Sequence, residues 1–65
     1  MIVKGKISAI NHIKNTAEVM LIEYDNAVTG YLPFYNRSTN SVYVGEFVVV
    51  ALFNDGKDFC DGVIL

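Results

Sequence analysis

Alternation of apolar and polar positions runs through most of this chain. Val3, Gly5, Ile7 and Ala9 alternate with Lys4, Lys6 and Ser8, the period-two signature of a strand with one buried face. Gly5 weakens that strand in its middle and marks a bend or bulge. Residues 11–16, "NHIKNT", are turn chemistry. Residues 17–24, "AEVMLIEY", read as a second strand, with Val19 and Leu21 on one side and Met20, Ile22 and Tyr24 on the other.

The remaining pattern is also β. "DNAVTG", 25–30, is a loop opened by Asp-Asn and closed by Gly. "YLPFY", 31–35, is a short third strand, placed at an edge or interrupted at Pro33, which has no N–H for a ladder. The polar residues 36–41 form a loop, and Val42 to Val44 lead into a tight turn at Gly45-Glu46. A fourth strand covers 47–53, Asp55-Gly56 turns a hairpin, and a fifth strand covers 59–65 with a kink at Asp61-Gly62. Five short strands with turn signals about every ten residues and no helical period predict an all-β domain over residues 1–65. The expected architecture is a small five-stranded antiparallel barrel of the OB type, with an SH3-like barrel as the alternative.

The fourth strand is the anomaly. "FVVVALF" offers Phe47, Val49, Ala51 and Phe53 to one side and Val48, Val50 and Leu52 to the other, whereas a small barrel fills its interior from one face only. Composition sharpens the point: 52% of the 65 residues are hydrophobic and mean hydropathy is +0.35. A chain of this length buries only roughly 60% of its unfolded surface, and its polar loops are too short to cover two strands. Burial of the surplus against another chain follows, most simply in a homo-oligomer. The expected interface residues are Met20, Ile22 and Tyr24 from the second strand and Val48, Val50 and Leu52 from the fourth, although a one-residue bulge would exchange the faces.

Charge and candidate chemistry exclude more than they suggest. The net charge is −2, and the basic residues Lys4, Lys6, Lys14, Arg37 and Lys57 are scattered, so no phosphate-tracking groove is written and nucleic acid is an unfavoured partner. Lys4 and Lys6 alone are spaced to share a strand face. No cofactor or metal is expected: His12 is the one histidine and belongs to a turn, and Asp55, Asp58 and Asp61 lack the spacing of a calcium loop. Cys60 has no histidine placed to form a dyad with it and reads as a small buried hydrophobe. Glu18 and Glu23 fall on opposite strand faces, no nucleophile elbow or phosphate loop is present, and the chain is read as no enzyme. Asn36-Arg37-Ser38 matches a glycosylation sequon, but nothing directs the chain to a secretory compartment. The start of the sequence has no signal-peptide pattern and the apolar run is too short to span a bilayer. A soluble protein made in the cytoplasm is expected. An alternative ligand surface would use Tyr31, Phe34, Tyr35 and Tyr43 to stack single-stranded nucleic acid bases or bind an oligosaccharide.

Several segments resemble the OB domain of phage baseplate spike proteins, the group that includes baseplate assembly protein V and the type VI secretion spike. Gly5 with Ser8-Ala9-Ile10 fits its opening strand, and Tyr31-Leu32-Pro33 stands where the family has Trp-Leu-Pro. Val44-Gly45-Glu46 with Val48 and Val50 fits the Gly-Glu strand, and Gly62-Val63-Ile64 fits the last strand. Tyr31 departs from the family tryptophan, and the family's long β-helical needle does not follow Leu65. The resemblance therefore implies the OB collar of a trimeric spike in a tail baseplate rather than its piercing tip, with neighbouring baseplate or tail proteins as further partners and the virion tail as its destination.

Overall fold

The computed structural model of the chain describes residues 1–53 and 59–65. Its strands are β1 (Ile2–Asn11), β2 (Thr16–Leu21), β3 (Ala27–Val28), β4 (Leu32–Pro33), β5 (Phe47–Leu52) and β6 (Gly62–Ile64). They form one sheet in the order β3-β2-β1-β5-β6, with β4 also paired to β2, and every named strand pair is antiparallel. The all-β expectation is met. The closed five-stranded barrel is not, because the described residues make six strands in an open sheet. Among the described residues its two ends are joined by an isolated parallel bridge, Phe34 to Ile64, where the Tyr35 N–H donates to the Ile64 carbonyl at 2.8 Å, and by the Gly30 N–H, which donates to the Phe59 carbonyl at 3.1 Å.

β1 organises the sheet by serving two neighbours. Its first half, Ile2–Lys6, pairs with β5, and Lys6–Asn11 pairs with β2. The register slips between Ile7 and Ala9, so the bulge falls at Ser8 rather than at Gly5. Gly5 serves a different purpose. A Cβ there would overlap Val19 Cγ1 and sit 2.8 Å from the Met20 carbonyl oxygen, so the curled sheet closes on itself only where β1 has no side chain.

Alternation then builds the core. Val3 and Ile7 of β1, Val19 and Leu21 of β2, and Val48, Val50 and Leu52 of β5 all point inward, joined by Leu32 and Ile64. Four strands differ in extent from the sequence reading, β5 only in stopping at Leu52. The second strand stops at Leu21, and Ile22–Tyr24 form a 3₁₀ turn that leads into Asp25 (φ 55) and Asn26 (φ 61). Asp and Asn are the non-glycine residues that best tolerate this left-handed region, and two in succession reverse the chain. Part of the expected 25–30 loop is thereby returned to the sheet as β3, opposite Met20 and Leu21. β4 keeps only Leu32–Pro33 of the expected 31–35, and β6 only Gly62–Ile64 of 59–65. The expected Asp55-Gly56 turn, and with it Asp55 and Asp58, lies outside the described residues.

Loops are tied by side chains. Asn11 Oδ1 accepts from the Ile13 and Lys14 N–H groups, and Asn15 Oδ1 accepts from the Thr39 N–H at 2.8 Å. The predicted Gly45-Glu46 turn is present with Gly45 at φ 96. Gly45 N–H donates to the Ile7 carbonyl, and Ile7 N–H donates to the Glu46 carbonyl. The Glu46 carboxylate accepts from Arg37 at 2.6 Å and from the Tyr43 N–H at 3.3 Å, clasping the 37–46 segment.

Candidate functional site

The outer face of β1, β5 and β6 carries exposed apolar side chains. Cross-strand partners share a face, so the β1–β5 register decides what is out. Val3 stands opposite Val50 and Gly5 opposite Val48, inside; Ile2 stands opposite Ala51, Lys4 opposite Val49 and Lys6 opposite Phe47, outside. Val63 continues the row from Ala51, and Leu65 follows it, its N–H donating to the Val49 carbonyl at 2.9 Å. Phe47, Val49 and Phe53 are 55%, 41% and 51% exposed, which is far from the polar dressing expected of a free sheet face.

This corrects half of the expected interface. Val48, Val50 and Leu52 are 5%, 0% and 1% exposed: they are core residues. The alternation in "FVVVALF" is real, but both phases are apolar, and pairing with Val3 and Gly5 selects the inward one. The other three expected residues do lie outside. Met20 is half-buried on the outer face, between Lys6 and Val28 in register. Ile22 and Tyr24 are exposed on the 3₁₀ turn rather than on a strand. Tyr24 packs its ring on Phe59 at 5.7 Å between centroids and donates its hydroxyl to Met1 Sδ.

The two strand lysines lie along this face. Lys4 Nζ and Lys6 Nζ sit 5.1 and 5.2 Å from the centre of the Phe47 ring, within cation–π range. Two shallow clefts flank that ring. One is lined by Lys4, Arg37, Phe47, Val48, Val49 and Leu65, the other by Lys4, Ile22, Glu23 and Phe47. The spacing of Lys4 and Lys6 puts them on one face from sequence alone, but nothing in the sequence gives the register that sets Phe47 between them.

The alternative aromatic surface is dispersed. Tyr31, Tyr35 and Tyr43 are exposed, while Phe34 is half-buried against the core. Among the described residues the close ring pair is Tyr24 with Phe59, and none of these four stacks on another. His12 is an exposed turn residue, as expected, with Nδ1 3.0 Å from Thr39 Oγ1. Cys60 is exposed, not buried, and lies beside Gly30, from which a Cβ would be 3.4 Å from its sulfur. The turn ahead of β6 is irregular, with Phe59 at φ 56, and it is Phe59 that packs on the core. Among the described residues no group of three His, Cys, Asp or Glu side chains assembles for a metal, and no helix is long and apolar enough to cross a membrane.

No protein-family model, curated protein or solved structure matches the chain.

Proposed function

We propose that this chain is a non-enzymatic assembly module, an OB-type domain that packs the outer face of β1, β5 and β6 against other chains, first of all copies of itself. The observation that carries the reading is the row Phe47, Val49 and Phe53, apolar and exposed on a central strand and its end. Leaving such a row in water forfeits roughly 25 cal/mol per Å² of apolar area, and a partner recovers it. The OB reading is supported by the partner switch along β1 and by the Phe34–Ile64 bridge, which joins β4's end of the sheet to β6.

The biological setting, a collar in a phage or phage-like tail baseplate with neighbouring tail proteins as partners, rests on the resemblance of the Tyr31-Leu32-Pro33, Val44-Gly45-Glu46 and Gly62-Val63-Ile64 segments to spike OB domains. That resemblance favours a trimer. Light scattering at tens of micromolar tests the reading: an oligomer that Val49→Lys dissolves supports it, and a wild-type monomer removes it. A second reading, single-stranded nucleic acid or oligosaccharide binding, is favoured by the exposure of Tyr31, Tyr35 and Tyr43. Titration of a fluorescent oligonucleotide at low and high salt tests it, since phosphate binding weakens steeply with salt.

A further inference from the structure

The outer face carries charges of both signs that form no ion pair among the described residues. Lys4 and Lys6 converge on one aromatic ring, Phe47, so two like charges are concentrated over an apolar surface. Glu23 lies across the same cleft, which Lys4, Ile22 and Phe47 complete. Yet the one ion pair among the described residues is Arg37–Glu46, so neither lysine is matched to Glu23 within the chain. A cleft that holds an ammonium and a carboxylate with no ion pair between them, beside the apolar Ile22 and Phe47, is complementary to itself: a second copy brings acid to base and base to acid while the apolar side chains meet. A nucleic acid would leave Glu23 opposed to phosphate, and an acidic partner would leave it opposed to carboxylate.

Resting on the self-assembly reading above, we infer that the partner seated on this face is a second copy of the chain, oriented so that Lys4 and Lys6 of one copy meet Glu23 of the next. The contact is reciprocal in a two-fold pair and cyclic in a ring of three, so both closures satisfy it. It sets the register of two apolar faces that could otherwise slide, which is the usual contribution of charges at an interface rim.

The experiment is a charge exchange across the contact, read by sedimentation velocity at tens of micromolar. Lys4→Glu and Glu23→Lys, each alone, are expected to weaken association at least tenfold, because each sets like charges across the contact. Lys4→Glu and Glu23→Lys combined in one chain are expected to restore association, since every contact between positions 4 and 23 is then remade with its charges exchanged, in a pair or in a ring of three. Both positions are at the surface, and circular dichroism of each variant checks the fold; Lys4→Gln and Glu23→Gln serve if either unfolds. If both charge variants associate like wild type while Val49→Lys does not, the charge register is overturned and the apolar interface stands. Single variants that dissociate, and whose combination in one chain stays monomeric, also overturn the register. If wild type is a monomer, the self-assembly reading fails and takes this inference with it.

Discussion

Gly5 stands opposite Val48 in the β1–β5 ladder, and the space its missing side chain leaves is filled by Val19 Cγ1 from β2. Three strands thus meet at one backbone position. Gly5→Ala forces a methyl into that contact and against the Met20 carbonyl, and overpacking of this kind costs about 1–3 kcal/mol. A urea denaturation midpoint measures it. An unchanged midpoint would show that β1 and β2 separate there without cost.

Thr29 is buried at 3% exposure, and its hydroxyl works in both directions. Oγ1 accepts from the Val19 N–H at 3.0 Å and donates to the Gly30 carbonyl at 2.7 Å. Thr29→Val keeps the shape but strands the Val19 N–H, a loss of about 1–3 kcal/mol. Thr29→Ser retains the hydroxyl and is expected to cost less. Amide hydrogen exchange at Val19 should quicken in the valine variant and not in the serine one.

Inward and outward positions on β5 should answer oppositely. Val49→Lys leaves the monomer folded and lowers the apparent mass in solution, whereas Leu52→Ala empties core volume and costs about 2–5 kcal/mol. For a domain this small, whose whole stability is roughly 0.05–0.15 kcal/mol per residue, the second change removes much of the margin. Thermal melts and light scattering on the same pair of samples separate the two effects.

The Glu46 carboxylate holds Arg37 and the Tyr43 N–H together, and the Arg37 side chain is about a third exposed (34%) while that of Glu46 is at 16%. Arg37→Ala should therefore cost less than about 1 kcal/mol. Glu46→Ala also strips the turn of its acceptor and should cost more than Arg37→Ala. Equal melting temperatures for the two variants would count against the clasp.

Most of the inner face is legible in the sequence wherever one phase of a strand is polar. Lys4 and Lys6 mark Val3 and Ile7 as inward, and Val19 and Leu21 follow from the same parity. Legibility fails where both phases are apolar. "FVVVALF" contains no residue that must face water, so only pairing with Val3 and Gly5 tells Val48 and Val50 from Phe47 and Val49. β3 is invisible for another reason: two residues are too few for a period, and they are held by pairing with Met20 and Leu21. Ile22 and Tyr24 continue an apolar alternation that the left-handed Asp25-Asn26 pair cuts short. The candidate surface is accordingly readable in kind from the sequence and half-misplaced in detail.

β1 is joined to β5 at its first residues, Ile2 opposite Ala51, and the Met1 amino group donates to the Leu52 carbonyl across 51 positions of sequence. While the chain emerges from the ribosome, β1 and β2 can pair at once, but the first half of β1 must wait for β5. During that interval Val3 and the unpaired edge of residues 2–6 are presented to whatever is nearby. The first half of β1 is therefore completed only when the fifth strand reaches it, and slowing translation before residue 47 should lengthen the interval in which that edge stays open to aggregation.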